Sequence, residues 1–169
     1  MSSQRPNPVA AASRQTQTVL LVEDDVSVAQ ITTRWLRSLH FQVIVCAGGR
    51  EACDLATART EPIDLLLADV MLPGIRGPVL AEILRSSHPE MAVLFSSGYS
   101  PELLGEMFSA HLESALLLYK PYDAAQLASR VHLALARKAA SRGAARDTGP
   151  ANPPPASPPR ITVGAAGRR

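Results

Sequence analysis

Short apolar runs alternate with longer amphipathic stretches through most of this chain. "TVLLV" at 18–22 is almost wholly apolar, the pattern of a strand covered on both faces. Residues 26–39 then place Val28, Ile31, Trp35, Leu36 and Leu39 at helical spacing, with Asp24 or Asp25 available as the cap. "QVIVC" at 42–46 predicts a second strand, and Gly48 and Gly49 turn the chain into a helix near 50–59. "IDLLLAD" at 63–69 predicts a third strand, ended by the turn "LPGIRG". Val79, Leu80, Ile83 and Leu84 mark the next helix. "AVLFS" at 92–96 is a strand, a helix near 101–109 follows, and "ALLLY" at 115–119 is a strand. Leu127, Val131, Ala134 and Leu135 give a closing amphipathic helix. Five strands alternating with five helices predict an α/β fold. Right-handed crossovers make it one doubly wound, five-stranded parallel sheet with helices on both faces.

The ends of the chain break this pattern. Residues 1–17 are polar, and 143–169 are rich in Pro, Gly, Ala and Arg. Neither segment carries enough apolar surface to offset the entropy of ordering, so both are expected to be disordered tails around a domain at 18–142. Charge divides the same way. Residues 18–142 hold eleven Lys and Arg against fourteen Asp and Glu, whereas the flanks hold six against one. The domain is mildly acidic and the tails are basic. No apolar run approaches the roughly 18 residues that span a membrane. The amino terminus also lacks the apolar core of a secretory signal, so a cytoplasmic location is expected. Cys46 and Cys53 are then expected as two free thiols.

Parallel sheets carry their working residues at the carboxyl ends of the strands. In this chain those ends supply Glu23 and Asp24 after the first strand, Asp69 on the third, Ser97 after the fourth and Lys120 after the fifth. Lys120 is one of only two lysines in the chain. Three carboxylates at close range repel one another unless protons or a cation intervene. A hard divalent ion such as Mg²⁺, which prefers oxygen ligands, removes the conflict, and the Lys120 ammonium adds a second positive charge. A carboxylate in such a setting can attack phosphorus and become an aspartyl phosphate. Asp69 is the best placed acid for that role, and the turn holding Pro73, Gly74 and Gly77 leaves backbone carbonyls available to a metal.

Each residue also has a plainer explanation. "EDD" suits a helix amino terminus, and Asp69 before "LPG" suits a turn initiator. Ser97 before Gly98 suits a loop, and Lys120 suits a solvated lysine with a buried stem. The weight shifts because four separate strand ends would have to supply the right chemical types by chance. His40, His88, His111 and His132 fall on different elements and suggest no metal cluster, and Trp35 reads as packing. The arginines of "RITVGAAGRR" are available to nucleic acid, but such tails are more often simply solvated.

"VLLVEDD", "LLLADVMLPGIRG", "VLFSSGYS" and "YKPY", in this order and spacing, resemble the receiver domain of bacterial two-component response regulators. The likeness extends to single-domain chemotaxis-type regulators and to the receivers of hybrid histidine kinases, and covers about residues 17–142. It implies the flavodoxin-like receiver fold with strand order 2-1-3-4-5. Asp69 corresponds to the phosphoacceptor, Glu23 and Asp24 to the acidic pair that holds Mg²⁺, and Met71 to the residue lending a backbone carbonyl to the metal. Ser97 and Lys120 correspond to the hydroxyl and ammonium that meet the phosphoryl group, with a cis Lys120–Pro121 bond. Three features depart from the family. Leu117 stands where a switch aromatic is usual, "IRG" with Arg76 replaces the common "MDG", and no output domain is legible after Gly143.

The resemblance implies a phosphorylation-dependent signalling switch rather than an enzyme. A histidine kinase or phosphotransfer protein would donate the phosphoryl group. The surface of the fourth helix, fifth strand and fifth helix would then shift to alter binding of a downstream protein, and a phosphorylation-dependent homodimer is compatible with the same change. A phosphate sink or relay receiver is the alternative. A Mg²⁺-dependent phosphatase with an aspartyl nucleophile is a weaker one, since such enzymes carry a second Asp where Met71 stands. Neither a membrane nor nucleic acid is an expected partner.

Overall fold

The computed structural model describes residues 16–104 and 116–147, the last six of them as backbone alone. The order is β1 (Thr18–Val22), α1 (Val26–Ser38), β2 (Gln42–Cys46), α2 (Gly49–Ala58), β3 (Leu65–Asp69), α3 (Gly77–Arg85) and β4 (Ala92–Ser97). A helix α4 begins at 101 and is described through 104; the rest of the helix expected near 101–109 lies outside the described residues. β5 (Leu116–Tyr119) and α5 (Ala124–Asp147) close the fold. All strand pairs are parallel, in the order β2-β1-β3-β4-β5.

Side-chain alternation along the strands splits the core into two layers. Val19 and Leu21 of β1, with Leu65 and Leu67 of β3, face Leu36 of α1 and Leu127 and Val131 of α5. Leu20 and Val22, with Leu66 and Ala68, face Ala52 of α2 and Leu80 and Leu84 of α3. Both faces of the central strands are covered, which is why their sequences read as unbroken apolar runs. No helix among the described residues is long and apolar enough to cross a membrane.

Two expectations need correction. Ile31, assigned by periodicity to the inner face of α1, is 45% exposed, and the side chains that α1 buries are Ala29, Thr32 and Leu36. The stripe is rotated by one residue because Thr32 finds a partner for its hydroxyl inside the fold, the Tyr122 hydroxyl at 3.0 Å. The second concerns the tail boundary expected at 142, since the backbone of α5 continues to Asp147. Ala144, Ala145 and Arg146 are strong helix formers and carry the helix past Gly143 at a cost of about 1 kcal/mol for the glycine. The remainder of both expected tails, 1–15 and 148–169, lies outside the described residues.

Cys46 and Cys53 are free thiols. Burial pushes the Cys46 thiol up to about 11, with the Glu51 charge adding to it. Cys46 is 1% exposed, whereas Cys53 is only partly buried. Brief iodoacetamide treatment of the native protein at pH 8 is therefore expected to modify Cys53 well before Cys46. Peptide mass spectrometry would show the order; equal labelling of the two would contradict the burial of Cys46.

Candidate functional site

The parallel register delivers the acids and the lysine to one rim. Val22 pairs with Ala68 across β1 and β3, so the residues that follow, Glu23 and Asp69, emerge side by side. Asp69 pairs with Ser96 across β3 and β4, and Ser97 pairs with Tyr119 across β4 and β5. Lys120 is the next residue, and its N–H donates to the Ser97 carbonyl at 2.7 Å. Glu23, Asp24 and Asp69 each place a carboxylate oxygen within 4.8 Å of the others.

The two adjacent aspartates divide their work. Asp25 caps α1, accepting from the N–H groups of Ser27 at 2.8 Å and Val28 at 3.0 Å. Asp24 is exposed and bonds to none of the described residues, so its carboxylate is available to a cation. Glu23 is 3% exposed, and both its oxygens accept from the Lys120 ammonium, at 2.9 and 2.7 Å. The same ammonium donates to Asp69 Oδ2 at 2.5 Å, and the Met71 N–H donates to Asp69 Oδ1 at 2.7 Å. Both Asp69 oxygens are thereby oriented.

One ammonium is shared by two carboxylates, and the titration behaviour follows. Burial raises the Glu23 carboxyl above its ordinary value; the Lys120 bond and charge oppose that shift, and the Asp69 charge adds to it. Burial alone would lower Lys120, but its bonds to Asp69 and Glu23 and their charges outweigh it and hold the ammonium above its ordinary value. Lys120 is a charged, clamped donor.

The donor set fits a hard divalent cation. Three carboxylate oxygens gathered within 4.8 Å of one another are the hard oxygen ligands that Mg²⁺ takes. Ser97, by contrast, is fully buried, and its hydroxyl accepts from the Tyr99 N–H at 3.0 Å. It sits at the carboxyl end of β4, the strand beside Asp69. Leu117 packs partly buried against the layer containing Phe95 and Leu104. The Lys120–Pro121 peptide is cis, as the sequence likeness implied.

Comparison with known proteins fits this arrangement. The family model of the response regulator receiver domain matches residues 19–132. This chain belongs to the response regulator receiver family. Receiver domains generally bind Mg²⁺ at an acidic pocket, and Glu23, Asp24 and Asp69 form such a cluster. The receiver is 32% identical to the sensor kinase CckA of Brucella abortus, over 73% of this chain and 14% of that protein. It is 31% identical to the transcriptional regulatory protein CpxR of Escherichia coli K12, over 70% of this chain and 49% of that one. The chain thus spans half or less of the length of these relatives. A solved receiver domain from the hybrid histidine kinase CckA is 35% identical, with a TM-score of 0.59, covering 70% of this chain and 98% of that one.

Sequence reasoning left two parts of the site unseen. The Met71 amide is engaged, since it fixes the Asp69 carboxylate. Tyr122, two residues past Lys120, reaches Thr32 on α1. A tyrosine beside an apolar strand end signals a buried hydroxyl in need of a partner, but not which partner.

Proposed function

We propose that this receiver is a phosphorylation-dependent signalling switch in which Asp69 accepts a phosphoryl group from a phosphohistidine of a histidine kinase or phosphotransfer protein. The phosphorus–nitrogen bond of the donor breaks, a phosphorus–oxygen bond forms on Asp69, and the released imidazole takes up a proton. Lys120 carries this reading: its ammonium, 2.5 Å from Asp69, is already where negative charge must be neutralised as phosphorus is transferred. Mg²⁺, held by Asp24, Asp69 and the Met71 carbonyl with support from Glu23, would neutralise the phosphoryl oxygens further. The Ser97 hydroxyl, which accepts from the Tyr99 N–H, has its own hydrogen to donate to the phosphoryl group.

A groove of ≈ 580 Å³ runs from Glu23 and Asp24 along α1, with Val26, Gln30 and Arg34 on its wall. It offers a donor protein a mixed apolar and polar surface next to the acids. We place this exchange in the cytoplasm. The domain proper is taken to begin at 18 and to run to the end of α5 at Asp147, with tails 1–17 and 148–169.

The test is label transfer from a radioactive small acyl-phosphate donor in the presence of Mg²⁺. Wild type is expected to take up acid-stable, base-labile label, and Asp69→Asn to take up none. Label persisting in Asp69→Asn would remove Asp69 from its role.

Leu117 favours a second reading, a phosphate sink or relay receiver. An aromatic side chain at this position could swing between inner and outer packings, whereas Leu117 already packs against the inner layer. The likeness to the receiver of a hybrid histidine kinase points the same way. Rapid return of label to a phosphotransfer protein, with no phosphorylation-dependent protein binding, would favour the relay.

A further inference from the structure

We propose that the hydrogen bond between Tyr122 and Thr32 positions Lys120 for phosphoryl transfer; the inference rests on the reading of Asp69 as phosphoacceptor. Lys120 lies on the connection of residues 120–123 between β5 and α5, and three anchors hold that connection. At its start the Lys120 N–H donates to the Ser97 carbonyl at 2.7 Å. At its end Asp123 and Gln126 exchange side-chain to backbone bonds at 2.9 and 2.8 Å, which join it to its own helix. The third anchor is Tyr122 Oη to Thr32 Oγ1 at 3.0 Å, and it alone of the three crosses to α1.

That crossing matters because α1 begins at the acidic pair. Its cap, Asp25, directly follows Glu23 and Asp24. A tie between α1 and the lysine connection therefore sets how far the Lys120 stem must reach to Glu23 and Asp69. Thr32 is fully buried, so losing the bond strands its hydroxyl away from water. The Tyr122 ring also lies 6.3 Å from the Trp35 ring at 58°, which fixes the tyrosine against α1 even before its hydroxyl is counted. Burial disfavours ionisation of that hydroxyl, and the charges of Lys120, Glu23 and Asp69 all reach it. Tyr122 is a positioning residue; it acts through Lys120.

The two-lysine composition supplies a direct readout. In ¹⁵N-lysine-labelled full chain, Lys120 and Lys138 give the two side-chain ammonium signals, assigned with Lys138→Arg. Lys138 pairs with Asp64 at 2.8 Å and serves as internal control. Tyr122→Phe and Thr32→Val are expected to shift the Lys120 signal and leave that of Lys138 in place, and Thr32→Ser to restore it. Phosphorylation by acetyl phosphate with Mg²⁺ is expected to slow about fivefold in Tyr122→Phe and in Thr32→Val. No further slowing is expected when Tyr122→Phe is added to Lys120→Ala. A Lys120 signal unmoved by Tyr122→Phe, or a slowing that multiplies with Lys120→Ala, would reduce Tyr122 to a packing residue. If wild type takes no label while Tyr122→Phe still moves the Lys120 signal, the phosphoacceptor reading fails and the positioning bond survives.

Discussion

Lys120→Met is expected to destabilise the domain by about 3 kcal/mol at pH 7 and to slow phosphoryl acceptance at least about a hundredfold. The first figure follows from burial. Glu23 is 3% exposed and gives both oxygens to Lys120, so removing the ammonium leaves a buried carboxylate with only the long bond from the Asp25 N–H, at 3.4 Å, in its place. Asp69 loses the same partner at the same time. Burial has already raised Glu23 above 4.5, and Lys120 supplies the two strongest influences that oppose the shift. Without them Glu23 holds its proton to higher pH in the folded state than in the unfolded one. The folded protein then binds more protons in the window above 4.5, and stability falls as pH rises through it. The variant should be more stable at pH 5 than at pH 8, with a steeper fall than wild type. Urea midpoints at the two pH values measure this, and Mg²⁺ should restore part of the loss at pH 8 by binding the folded state. Equal midpoints at both pH values would mean that Glu23 is not coupled to Lys120.

The site was legible for a reason specific to parallel sheets. Runs such as "TVLLV" and "LLLAD" are short, apolar on both faces and end on acids, so the residue after each run has a known place before any coordinates exist. Lys120 stood out because lysine is so scarce in the chain. What could not be read depends on one-residue differences in backbone. Asp24 and Asp25 are chemically alike and either could cap α1; the extended backbone of Asp25 (φ −78°, ψ 112°) makes it the cap. Ile31 and Thr32 are both compatible with an inner stripe, and only a partner 90 residues away in the chain selects Thr32. The Lys138–Asp64 pair, which also holds Thr18 through its N–H, joins residues 74 positions apart with no local pattern to announce it.

Gly77→Ala is the other change expected to act strongly, and it operates through backbone rather than charge. A Cβ built at Gly77 would stand 2.3 Å from the Asp69 carbonyl oxygen and 3.1 Å from its carbonyl carbon. Neither atom belongs to a flexible side chain that could step aside. The Gly77 N–H also donates to the Val70 carbonyl at 3.1 Å, so α3 is tied to the turn it would have to leave. Relief therefore requires moving Asp69 itself, and with it the carboxylate held between Lys120 and the Met71 N–H. We expect a loss of about 2–3 kcal/mol of stability, as for other overpacked positions. Phosphoryl acceptance should fall about a hundredfold, the scale associated with a 1 Å misplacement of a reacting group. Gly74→Ala is the control. Its φ of +74° makes alanine unfavourable by about 1–2 kcal/mol, yet no atom lies within 4 Å of the added carbon. Stability should fall in both variants, but acceptance should fall only in Gly77→Ala. If Gly77→Ala matched wild type in both measurements, the close approach of α3 to the Asp69 carbonyl would be wrong. If Gly74→Ala lost acceptance as well, Asp69 would owe its placement to the whole turn rather than to that single contact.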